Sequence, residues 1–215
     1  MITFSGQHIQ RIDQTEHGTP TPTDIAVHAG RICRFGGAVW APLLAHLMFV
    51  GLLAYKRSGK IENFIWGLLH DAHEVVTSDV PRPFKCDCMR KEQDAIDIRL
   101  LKQYFPLPHQ AVEIDFELIK QCDNDTCDIE AVELGLPNFA DIEMTHTQDY
   151  RGREAVHGDK SDVELFHRVA LLFGRYDVVR GVDSNAVQIF RRTLEQALNG
   201  EHEAVRDEVE KFLKD

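Results

Sequence analysis

Positive charge is what this 215-residue chain has too little of. Its 24 Lys and Arg face 35 Asp and Glu, for a net charge of −11. A nucleic acid held by its backbone needs a basic face, so that class of partner is excluded. Long apolar runs are missing too. The longest, residues 43–54, is interrupted by His46 and is too short to span a bilayer, so no membrane partner is expected. The opening Met1-Ile2-Thr3-Phe4-Ser5-Gly6-Gln7-His8 lacks the basic start and apolar stretch of a secretory leader, and a cytoplasmic location is the expectation. Five Cys is an odd number, and most sit in predicted helices, which reads as reduced thiols. The pair Cys86-x-Cys88 is too tight, and has no second pair, for a zinc site. Strand signals are nearly absent, and there is no internal repeat or low-complexity tract. What remains is an all-α chain. Its 43% hydrophobic content suffices for the core of one large domain, or of one domain with an appendage.

The helices follow from punctuation and periodicity. Thr19-Pro20-Thr21-Pro22 reads as extended, and Thr23-Asp24 as a helix start with Asp24 able to cap. Gly36-Gly37 breaks that helix. A strongly apolar helix is expected from Pro42 to about Tyr55. Lys56-Arg57-Ser58-Gly59 ends it with the charge a helix C-terminus favours. The next helix, about residues 62–72, carries His70-Asp71 at its end. The loop over residues 79–85 holds two prolines and cannot be helical throughout. A charged amphipathic helix is expected over 88–104, with Ala95, Ile98 and Leu101 on its buried face. Another is expected over about 109–134, then a polar loop over 138–160, then helices over about 161–175 and 184–213.

The doublet His70-Asp71 concentrates the chemistry. His suits a helix C-terminus, whereas the charge of an Asp there opposes the helix dipole. A bound metal removes that conflict. Imidazole and carboxylate together suit Zn, Mn, Co or Fe(II). His46 in the preceding apolar helix and Asp123 in a following one complete a two-His, two-carboxylate set with room for water. Taken alone, His46 reads as a core histidine bonded to a carbonyl; the doublet reverses that reading. Asp123 has Ile119 and Cys122 beside it on an apolar stripe, whereas its neighbour Asp125 falls about 200° round the helix. Glu74 lies four residues after His70 and three after Asp71, so one more helical turn puts it on the same side.

Leu68-Leu69-His70-Asp71-Ala72-His73-Glu74-Val75 with Asp79-Val80-Pro81-Arg82-Pro83 resembles the doublet and following loop of the HD-domain metal-dependent phosphohydrolases. The small nucleotidase-type members of bacteria and bacteriophages are the nearest likeness. Ile119-Lys120-Gln121-Cys122-Asp123 and Asp128-Ile129-Glu130-Ala131 resemble the helix bearing that family's last metal Asp. Arg31-Ile32-Cys33-Arg34-Phe35-Gly36-Gly37 resembles its early Arg-aromatic segment. The resemblance covers residues 22–137. It implies an extended N-terminal segment (1–22), an HD-type helical bundle as catalytic core (23–137), and a loop with C-terminal helices packing on that core (138–215).

The resemblance also implies roles. His46, His70, Asp71 and Asp123 would hold one divalent transition metal (Co, Mn, Zn or Fe), with Mg as a further candidate. Glu74 and Asp79 would be the catalytic acid-base pair that positions the attacking water. Arg34 would clamp a phosphate with its planar fork, and Phe35 would pack on the sugar and disfavour a 2′-hydroxyl. Arg82 and Lys85 would neutralise phosphate, with Lys91 and Lys120 as further candidates. The segment before His46, Ala38-Val39-Trp40-Ala41-Pro42-Leu43-Leu44-Ala45, lacks the family's polar Ser and Glu, which leaves His46 without an evident supporting partner. His73 stands where a small residue is common; a third imidazole near the metal, a proton relay and a surface residue are the readings open to it, and the last is preferred. The expected activity is cleavage, by a metal-activated water, of the 5′ phosphate or triphosphate from a small-molecule 2′-deoxynucleotide. The resemblance thus implies a dNTP or dATP triphosphohydrolase or a dNMP 5′-nucleotidase, and a homodimer is a further expectation for a helical protein of this sort. The alternative is a non-catalytic metal- and nucleotide-binding sensor or interaction module.

Overall fold

The helix that carries His46 runs through the middle of the molecule. The computed structural model describes residues 4, 19–80, 84–106, 113–135, 159–174 and 176–214. Arg82, most of the N-terminal segment and the loop over 138–158 lie outside the described residues. The elements are α1 (Pro22–Ala29), a short 3-10 turn (Phe35–Gly37), α2 (Leu43–Ser58), α3 (Ile61–Leu69) and α4 (Glu74–Thr77). They continue with α5 (Asp87–Tyr104), α6 (Phe116–Glu133), α7 (Lys160–Phe173), a 3-10 stretch (Tyr176–Asp183), α8 (Asn185–Leu198) and α9 (His202–Lys214). The fold is all-α, with no strand among the described residues. No helix among them is long and apolar enough to cross a membrane.

Helix α2 is buried on nearly every side from Leu43 to Tyr55. A helix apolar all round belongs in the middle of a core, and α2 touches α3, α6 and α7. Gly59 ends it in the left-handed conformation (φ 67°), its N–H bonded to Tyr55 O at 2.7 Å. The chain then turns straight into α3. The two helices meet at Gly51 and Gly67, so closely that a Cβ on Gly67 would lie 2.6 Å from the Gly51 Cα. This contact sets the spacing between the two helices that deliver His46 and His70. At the far end of α2, Lys56 and Arg57 reach the buried Asp162 of α7 at 2.6 and 3.1 Å. Arg57 also reaches Asp125 of α6 at 2.6 Å. The C-terminal helices continue the same body: α8 lies on α1, and α9 touches α8, α2 and α3.

Several boundaries differ from the sequence expectation. Thr21, not Asp24, is the N-cap of α1. Asp24 occupies the third helical position and closes a capping box with Thr21. Helix α3 stops at Leu69, so His70 is its C-cap and Asp71 begins the following turn. The buried face of α5 is Gln93, Ile96, Leu100 and Tyr104, one step out of phase with the expected Ala95, Ile98 and Leu101, and Ile98 is exposed. Both phases are apolar every third or fourth residue, and only the surface available to pack against decides between them. The single helix expected over 184–213 is two, because Gly200 (φ 76°) turns the chain between α8 and α9. Cys86 and Cys88 form a disulfide, so the expectation of five reduced thiols is wrong for this pair; Cys33, Cys122 and Cys127 are free.

Candidate metal centre

Helices α2, α3 and α6 bring His46, His70, Asp71 and Asp123 together, with one donor atom from each within 4.8 Å of every other. His46 Nε2 lies 3.4 Å from Asp123 Oδ1 and 3.9 Å from Asp71 Oδ2. His70 Nε2 lies 3.4 Å from Asp71 Oδ2 and 3.7 Å from Asp123 Oδ1. The spacing suits a common ion with bonds of about 2.0–2.2 Å.

The supporting bonds fix which nitrogen faces inward. His70 Nδ1 donates to the Gly67 carbonyl at 2.9 Å, and a carbonyl can only accept, so the lone pair sits on Nε2. His46 Nδ1 meets Glu130 Oε1 at 3.3 Å, which favours the same tautomer. Both Nε2 atoms are buried without a hydrogen-bond partner. Two lone pairs facing two carboxylates repel unless a proton or a cation stands between them. The donor set and these orphaned nitrogens therefore fit a divalent transition metal. Electrostatics reports the same demand for positive charge. Burial works against a charged His70, but Asp71 and Asp123 outweigh it and hold its pKa well above the ordinary value. Burial pushes Asp71 and Asp123 upward, and the imidazoles overcome it, depressing both.

The supporting partner of His46 comes from α6. Asp123, Cys127 and Glu130 recur at helical spacing on one face. Glu130 is buried and ion-paired to Arg34 Nε at 3.4 Å. The i, i+4, i+7 recurrence was a signal present in the sequence. Cys127 is a poor ligand here: burial drives its thiol pKa upward, and it sits 3.6 Å from Asp123 Oδ1 as a protonated donor. The rival carboxylate Asp125 points away, to Arg57.

Arg34 reaches the centre from the loop between α1 and α2. That loop is closed by the antiparallel bridge of Cys33 and Pro42, with Arg34 N bonded to Ala41 O at 2.8 Å. Its guanidinium lies 4.0 Å from Asp71 Oδ2 and 3.1 Å from Cys127 Sγ. Phe35 stacks under it, with the guanidinium carbon 5.5 Å from the ring centre. Phe35 has φ 56°, a region that bulky residues rarely adopt and that tends to persist where function demands it.

Glu74 opens α4 beside the four-residue cluster. It is buried, with Lys85 Nζ 3.4 Å from Oε1 and no partner on Oε2. Burial first, then the charges of Asp71 and Asp79, raise its pKa to about 7. Asp79 is half-buried, close enough for that charge to act. The chain reaches it through Ser78 at φ 66° and ψ 161°, a conformation that costs a non-glycine residue energy. Lys120 pairs with Asp123 at 2.5 Å, while Lys91 is exposed. His73 is not a surface residue. It is buried, and its Nδ1 lies 2.9 Å from Asp97 Oδ1 of α5. Nothing in the sequence singled out Asp97, which sits on a charged helix among several like residues.

Comparison of the chain with protein-family models, with curated proteins and with solved structures finds no match in any of the three.

Proposed function

We propose that this protein is a metal-dependent phosphohydrolase. Its substrate in this reading is a 2′-deoxynucleotide cleaved at the 5′ position, either a dNTP such as dATP, releasing tripolyphosphate, or a dNMP, releasing phosphate. The observation that carries the reading is the convergence of His46 Nε2 and His70 Nε2, both buried and unpartnered, on Asp71 and Asp123. A divalent ion held there supplies Lewis acidity toward water and the phosphoryl oxygens. Glu74, with its pKa raised to about 7 and one free oxygen, is suited to take a proton from the attacking water and return it to the leaving oxygen. Asp79 keeps that pKa high by adding negative charge. Arg34 is always charged, and its fork suits a phosphate oxygen pair; Lys85 lies beside Glu74. Phe35 offers a flat apolar surface to a sugar and leaves a 2′-hydroxyl without a polar partner.

The test is a screen of deoxy- and ribonucleotides with added Mn, Co or Mg that separates phosphate from tripolyphosphate. Glu74→Gln is run alongside. The expected result is metal-dependent hydrolysis that favours deoxynucleotides and slows by about 10²–10⁴-fold in the variant, with the ion at His46, His70, Asp71 and Asp123 retained. Nucleotide and metal binding without any turnover would replace the hydrolase by a sensor.

A further inference from the structure

We infer that Cys86 and Cys88 form a thiol–disulfide exchange site, open to an external dithiol, whose oxidised form braces Lys85 against Glu74. The exchange stands on the disulfide and its exposure; its effect on turnover rests on the hydrolase reading proposed above.

A disulfide between residues two apart does little for a fold. It closes the shortest of loops, where a cross-link removes least chain entropy. It ties α5 to no other element, because both cysteines sit at that helix's own start. Chemistry rather than stability is what such a bond offers. Access agrees: Cys86, Asp87 and Cys88 are all exposed, whereas Cys122 is buried and Cys33 and Cys127 are partly so. Exposed disulfides are the labile class. Position agrees too. Cys86 is the N-cap of α5, and its Sγ accepts from Met89 N at 3.4 Å. The N–H groups of a helix's first turn favour negative charge, so Cys86 is the sulfur suited to leave as a thiolate.

The exchange balances. A thiolate of an external dithiol attacks Cys88 Sγ, the S–S bond breaks, and Cys86 leaves as a thiolate that takes up a proton. The reagent's second thiolate then attacks the reagent sulfur of the mixed disulfide, and Cys88 leaves in turn. Two electrons and two protons pass to the protein, and the reagent departs as a disulfide. A disulfide oxidant runs the same steps backwards.

The pair is linked to the candidate metal centre through its neighbours. Lys85, immediately before Cys86, puts Nζ 3.4 Å from Glu74 Oε1, and only 13% of its side chain is exposed. Further along α5, Gln93 donates to Thr77 Oγ1 at 3.0 Å, and Asp97 Oδ1 lies 2.9 Å from His73 Nδ1. Those contacts hold the body of α5 beside α4, while the disulfide restricts the turn that leads into it. Closed, the bond steadies the backbone that carries Lys85, which engages Oε1 and leaves Oε2 to meet a water. Opened, it releases that turn, and Lys85 with it.

Full-length protein prepared without reductant is alkylated while folded, with and without prior dithiothreitol, and the labelled cysteines are identified by peptide mass spectrometry. Cys86 and Cys88 should be unlabelled at first, both labelled after dithiothreitol without denaturant, and rejoined by glutathione disulfide. Deoxynucleotide turnover should fall about 2–30-fold on reduction, the range over which residues outside a site modulate it, and recover on reoxidation. Cys88→Ser keeps the N-cap and replaces an exposed side chain; it should sit at the reduced level and ignore both reagents. Free Cys86 and Cys88 that the oxidant does not join, a bond that yields only in denaturant, or a lasting adduct on one cysteine overturns the exchange site. Equal turnover in both states, or a Cys88→Ser variant that still responds, overturns the link to Glu74 and leaves the hydrolase reading standing. Reversible exchange with no turnover in either state overturns the hydrolase reading and the link together, and leaves the exchange site.

Discussion

Adding a divalent transition metal to chelator-treated protein should raise its melting temperature, and the rise should grow with pH. An ion that binds only the folded chain stabilises it by about 2.7 kcal/mol at one hundred times its dissociation constant. For a domain of this size each kcal/mol moves the midpoint by about 2–4 °C, so the shift should be about 5–11 °C. The pH dependence follows from the groups that a proton occupies in place of the ion. His70 has a folded pKa raised well above the ordinary 6.5 by Asp71 and Asp123. Its proton stabilises the metal-stripped fold fully below about pH 6.5, and that contribution is lost as pH rises through the folded value. Glu74, raised from 4.5 to about 7, acts in the same direction: the stripped fold loses stability between those values as the buried carboxyl is forced to ionise. Asp71 and Asp123 have depressed values, so their contribution is lost only as pH falls into strong acid. Raising the pH from 6 to 8 therefore weakens the stripped protein and removes the ion's competitor together. Differential scanning fluorimetry across that range, with Mn, Co or Zn against chelator, measures the gap. Asp71→Ala should abolish it. Asp125→Ala, which loses only the ion pair with Arg57, should lower stability but keep it. A shift that survives in Asp71→Ala, or that shrinks as pH rises, would refute the assignment.

Three further outcomes follow from the packing and the loop. Gly67→Ala forces a Cβ against the Gly51 backbone, and should cost about 1–3 kcal/mol in denaturant melts and weaken metal binding, because the Gly67 carbonyl also orients His70. Arg34→Met strands the buried Glu130 carboxylate and should cost about 3–5 kcal/mol, with much of the loss recovered in the Arg34→Met, Glu130→Gln double variant; equal stabilities of single and double variants would deny the pair its role. Phe35→Ala should leave metal content unchanged and narrow the ratio of deoxy- to ribonucleotide specificity constants, and an unmoved ratio would place sugar selection elsewhere.

The primary sequence by itself determined the helical class and pointed to the four residues that the structure gathers into one cluster. Apolar periodicity and the near absence of strand signals fix the first. A His-Asp doublet at a helix end, a histidine inside an apolar helix and an aspartate on an apolar stripe gave the second, because each is costly without a partner and cheap beside a cation. Asp123 could be told from Asp125 since helical phase is a local property. Tertiary packing decided the rest. Which of two apolar phases of α5 turns inward depends on what α3, α4 and α8 offer it, and that choice places Asp97 behind His73. The support for His46 comes from Glu130, 84 residues away in the chain, and Arg34 reaches Cys127 across 93. The bare oxygen of Glu74 is likewise a fact of three-dimensional packing. Local pattern specifies which groups are unhappy alone; only the assembled helices specify which of them meet.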